Sequence, residues 1–134
     1  MFKIQSKKFQ ALRRRILRKI LAIEFTPSEA CHEANQFGYS KYLEDIAAQE
    51  PSAAFNFALY IPGANIKRLQ EVVVQCPMNS YFFAKNVAGA DIQKCSKGSS
   101  KNLYWAFLFL TDIPGANTSE LEQVIFKNPM ILYN

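Results

Sequence analysis

The 134-residue chain has one histidine, three cysteines and one tryptophan. It has no C-x-x-C pair and no cluster of glycines that could cradle a phosphate. An odd cysteine count at irregular spacing (Cys31, Cys76, Cys95) argues against a disulfide framework and for a reducing, cytoplasmic setting. The same scarcity argues against a zinc site, because Cys76 and Cys95 fall where an apolar residue is expected. No metal and no cofactor are expected. The longest apolar run, Leu103 to Leu110, is far short of the ~18 residues that span a bilayer. No apolar stretch followed by small residues marks a secretory signal near Met1. Catalytic groupings are equally sparse. Cys31, His32 and Glu33 are neighbours in sequence, and neighbours on a helix point in different directions, so they do not converge on a substrate. The chain is read as non-enzymatic.

What the sequence does have is repetition. Ile61-Pro62-Gly63-Ala64-Asn65 returns as Val87-Ala88-Gly89-Ala90-Asp91 and as Ile113-Pro114-Gly115-Ala116-Asn117, 26 residues apart each time. Phe57, Phe83 and Phe109 share one register, and Leu69, Cys95 and Leu121 share another. Each pentapeptide reads as a turn between two helices. An apolar anchor closes the first helix, Gly63, Gly89 or Gly115 takes the left-handed conformation of a C-cap, and Asn65, Asp91 or Asn117 caps the second helix. Prolines 51, 77 and 129 stop the second helices. The expected fold is all-α: a small, right-handed-type helical-hairpin array of about four 26-residue repeats in a single domain. Residues 27–52 form a degenerate repeat, followed by repeats at 53–78, 79–104 and 105–134.

The charge is concentrated before the repeats. Residues 1–26 carry eight bases and one acid, and residues 27–134 carry eight bases and ten acids. Phe9, Leu12, Ile16 and Ile20 recur at helical spacing among Arg13, Arg14, Arg15, Arg18 and Lys19, which predicts a basic amphipathic helix. Three roles compete for it: a terminal cap that sets its apolar row on the repeats, a contact to phosphate or an acidic protein, and a lipid-surface helix. The lipid role ranks last, for want of an anchoring tryptophan. Thr26-Pro27-Ser28-Glu29 then opens a helix through a capping box, and Ser40 caps the next. Ala34, Gly38 and Ser40 imitate the turn of a DNA-reading helix-turn-helix. The register of Leu43 to Pro51 with Leu69 to Pro77 explains that stretch better.

Where the register fails, Lys97-Gly98-Ser99-Ser100-Lys101 replaces an apolar run, which predicts a shortened helix, an exposed basic loop and a candidate contact site. Met130 to Asn134 starts a further repeat, leaving an apolar end that another copy can cover. The elements Phe83 to Ile92 and Ile61 to Leu69 resemble a short helical-hairpin repeat found in tandem in bacterial and phage proteins, similar in build to HEAT-like α-solenoids. That resemblance implies a scaffold that binds another protein or protein complex. In its most specific form it implies a phage or mobile-element inhibitor that blocks a host or defence complex. The alternative is nucleic-acid binding through the arginine-rich helix, with Lys97 and Lys101 adding to the stripe.

Overall fold

The computed structural model describes residues 7–20 and 24–128, and the side chains of 7–18 and 24–128. Those residues form nine helices: α1 (Lys7–Ile20), α2 (Pro27–Phe37), α3 (Lys41–Ala47), α4 (Pro51–Tyr60), α5 (Ile66–Val73), α6 (Pro77–Asn86), α7 (Ile92–Ser99), α8 (Leu103–Asp112) and α9 (Thr118–Phe126). No strand occurs among them. The protein is all-α. The apolar stub Met130 to Asn134 lies outside the described residues.

Local chemistry sets the helix ends. Thr26 and Glu29 close a reciprocal capping box at 3.1 and 3.0 Å. Asn65, Asp91 and Asn117 each accept backbone N–H groups of the helix they start. Ser40 stands at its N-cap position without a side-chain cap bond. The C-caps are Ile61, Val87 and Ile113, and the glycine two residues later is the left-handed one, at φ 88°, 83° and 80°. The expectation of glycine C-caps is corrected on this point: each helix ends in extended backbone, and the glycine reverses the chain one step further on.

Consecutive helices pair as α2 with α3, α4 with α5, α6 with α7 and α8 with α9, while α2, α4, α6 and α8 pack in a row. Phe57, Phe83 and Phe109 are fully buried, as are Leu69, Cys95 and Leu121. Each buried phenylalanine contributes roughly 2–3 kcal/mol of transfer free energy. Ala54, Ser80 and Ala106, in one register, are fully buried too, and their small side chains let neighbouring helices of the row approach.

A polar clamp repeats with the fold. Glu44 accepts a hydrogen bond from the Asn65 backbone N–H at 2.6 Å, and Gln70 accepts one from Asp91 at 2.7 Å. Both acceptors are buried, and each ties its hairpin to an exposed residue of the following turn through a part-buried bond. Ser96 is third in this register, and its buried hydroxyl has no partner. Gln93 bridges to the Gly115 carbonyl instead, at 2.7 Å. Gln70→Ala should therefore lower the unfolding free energy by about 1 kcal/mol in urea titration, the net contribution of one such hydrogen bond.

Residues 97–101 are not an exposed loop. α7 continues to Ser99, and Ser96, Gly98 and Ser99 are buried. The Ser99 hydroxyl donates to the Pro77 carbonyl at 3.0 Å. Small side chains here admit a close approach to Ser80 and the Val74 carbonyl, and that packing gain outweighs the weak helix propensity of Gly and Ser.

Candidate interaction surface

Between residues 7 and 20, α1 carries seven bases and no acid. A helix of that composition gains stability from partners on α2, and α2 supplies two carboxylates. Arg14 pairs with Glu33 at 2.9 Å, and its guanidinium lies 4.5 Å from the Phe37 ring centroid. Arg18 pairs with Glu29 at 3.0 Å and lies 4.0 Å from the Phe25 ring centroid. Both arrangements add cation–π attraction to the ion pair. Ala11, 4% exposed, sits on the same inward row and lets α1 come close.

The apolar row consequently faces away from the repeats. Phe9, Leu12, Ile16 and Leu17 are 41%, 51%, 48% and 43% exposed. Together with Arg13 they line a shallow recess of about 690 Å³. The cap expectation is corrected: α1 does pack on α2, but it does so through Ala11, Arg14 and Arg18 and keeps its hydrophobic side outward. An exposed apolar row of this kind is a candidate interaction site.

The other expected contact residues are distributed unevenly. Arg13 is exposed, and Arg15 is half-buried with a buried Nε that lacks a partner. The Lys19 side chain lies outside the described residues. Lys97 and Lys101 are exposed at the end of α7, which packs on α6 and α8, whereas α1 packs on α2, so they do not extend the α1 stripe. The turn residues Gly63, Asn65, Gly89, Asp91, Gly115 and Asn117 position helices and do not converge on a site.

The residues that sequence reasoning missed are the acids. Counting from Pro27 and Pro51, which open α2 and α4, Glu33 takes the place that Phe57 holds in the next hairpin. A charge in a core position that needs a partner was the available signal. A second surface also went unread. Met78 and Tyr104 are 42% and 61% exposed at the starts of α6 and α8, and the Tyr104 ring meets Trp105 edge-on at 4.9 Å.

Electrostatics fit a structural role for the inward arginines. The hydrogen bond from Arg18, then that from the Thr26 backbone N–H, hold the Glu29 carboxyl at about 2, below its ordinary 4.5. A depressed acid stabilises the folded state above its unfolded value and loses that effect as pH falls through its folded value. The junction of α1 with α2 should thus loosen between pH 4.5 and 2. Hydrogen exchange across α1 should show this opening, and Glu29→Gln should remove the pH dependence in that window.

The Cys31, His32 and Glu33 side chains diverge. The Cys31 thiol donates to the Ala53 carbonyl at 3.1 Å, Glu33 turns to Arg14, and His32 is exposed. Burial pushes the Cys31 thiol up to about 11 and the Cys95 thiol up to about 12, so both keep their protons at neutral pH. Among the described residues no helix is long and apolar enough to cross a membrane. No protein-family model, curated protein or solved structure matches the chain.

Proposed function

We propose that the chain is a non-enzymatic, protein-binding α-repeat module that docks through the outward face of α1. The hairpins serve as a short stacked array, and α1 closes one end of it while presenting Leu12, Ile16 and Leu17 to a partner. The observation that supports this reading is the orientation of α1, arginines inward and hydrophobic row outward. A helix laid face to face with an apolar surface is a recurrent mode of protein recognition. The nucleic-acid reading is weakened by the same geometry, because Arg14 and Arg18 already hold carboxylates and have fewer donors left for phosphate.

Affinity capture from native extract, with and without nuclease, tests the reading. A protein retained after nuclease, and reduced about tenfold when Ile16 is changed to glutamate, is the expected result for an apolar anchor at the centre of a contact. Recovery of nucleic acid alone, lost in Arg13→Ala/Arg15→Ala and weakening steeply with salt, would overturn it.

A further inference from the structure

The face of the molecule carried by α8 and α9 is opposite to α1 in charge and, like it, exposes apolar side chains. From residue 103 to residue 126 there are three acids, Asp112, Glu120 and Glu122, and no base, with Lys101 and Lys127 exposed just beyond the two ends. α1 has the opposite balance: Arg14 and Arg18 hold Glu33 and Glu29, and Lys7, Lys8 and Arg13 stand exposed with no acid among residues 7–20. Hydrophobic groups are exposed on both faces: Leu12, Ile16 and Leu17 on α1, and Phe107 and Phe126, at 48% and 58%, on α8 and α9.

Positions that are covered in the earlier hairpins are exposed on the α8–α9 face. Phe55 packs against Phe83 of the following hairpin with ring centroids 6.5 Å apart. Tyr81, next in that register, is buried at 4% exposure, lies 5.6 Å from Trp105, and donates to Asp112 at 2.6 Å. Phe107 is third, and it stands half in solvent. The polar clamp tells the same story. Glu44 and Gln70 are buried on a backbone N–H of the next turn, whereas Glu122, in their register, is exposed. Among the described residues, the stacking groups of both helix positions are therefore exposed on α8 and α9.

We infer that the chain associates head to tail, the outward face of α1 in one copy seating on the α8–α9 face of the next. The inference rests on the reading of α1 as a docking face, and it names a second copy of this chain as the occupant. Leu12, Ile16 and Leu17 meet Phe107 and Phe126, and Arg13 lies toward Glu122. Charge selects this pairing over its alternatives. α1 against α1 sets the exposed bases Lys7, Lys8 and Arg13 against their own copies, and Glu120 and Glu122 against themselves do the same with acids. The contact is heterologous, so it propagates into a filament or closes into a ring.

Sedimentation velocity on the full chain, alone and in mixtures, tests it. Ile16→Glu removes the head and Phe107→Glu removes the tail, with circular dichroism reporting that both stay helical. The wild-type mean mass should rise with concentration beyond a dimer, and each variant should associate about tenfold more weakly. An equimolar mixture of the two should form a 1:1 dimer that grows no further, because one intact head meets one intact tail. A wild type that stays at 15.3 kDa throughout would overturn the inference. So would a mixture that remains monomeric, or loss of assembly in Ile16→Glu but not in Phe107→Glu, which is the result for α1 against α1. If residues 129–134 of the same chain occupy the tail, the wild type is monomeric and Phe107→Glu lowers its stability. A monomeric wild type whose capture of a foreign protein still depends on Ile16 would leave the docking reading standing and remove only this inference.

Discussion

Gly98→Val should lower the unfolding free energy by about 3 kcal/mol, the upper part of the range for overpacking a core, and the Tm by on the order of 10 °C. A Cβ at this position would come 2.2 Å from the Ser80 hydroxyl oxygen and 2.7 Å from the Val74 carbonyl oxygen. Neither neighbour yields easily. Ser80 is fully buried and donates to the Cys76 carbonyl at 2.9 Å, and the Val74 oxygen belongs to the backbone where α5 ends. Gly98→Ala should carry much of the same cost. Adding Ser80→Ala should recover part of it, since the closer of the two contacts disappears while the backbone contact stays. Thermal unfolding of the single and double variants measures both effects. An unperturbed Gly98→Val would mean that α7 does not lie against α6 at this distance.

Arg14→Leu should cost about 3 kcal/mol, because it leaves the Glu33 carboxylate buried without its ion partner. The Glu33 side chain is only 8% exposed, while Arg14 is 40% exposed, so nearly all of the desolvation falls on the acid. The double variant Arg14→Leu/Glu33→Leu should return close to wild-type stability. In that variant an apolar side chain fills the position that Phe57 fills in the next hairpin, and no charge is stranded. A double-mutant cycle by urea unfolding isolates the coupling. If Arg14→Leu is silent, α1 is not held to α2 by this pair.

The sequence made the hairpins legible because their turns obey local rules. The prolines, the capping residues and the recurring Phe and Leu positions act over a few residues, and the helices form where that chemistry places them. The Lys97 to Lys101 stretch was misread for a physical reason. Helix propensity counts Gly and Ser as breakers, but it takes no account of a neighbour such as Ser80 that leaves room for nothing larger. The orientation of α1 was illegible in a different way. An amphipathic period shows that a helix has two faces, not which one meets the protein. That choice depended on Glu29 and Glu33, which lie outside the helix, and on Ala11, whose small size lets the arginine-bearing face approach. Aligning the prolines that open α2 and α4, at an offset other than 26, would have exposed Glu33 as a charge in a core position.

The outward orientation of α1 is tested most directly by the stability of Ile16→Glu in urea, at concentrations dilute enough for the chain to be monomeric. Ile16 is 48% exposed, so the substitution should leave the unfolding free energy within about 0.5 kcal/mol of wild type, as surface changes do. A loss of about 2 kcal/mol or more, the cost of disrupting a core contact, would place the hydrophobic row against the repeats and contradict the docking face.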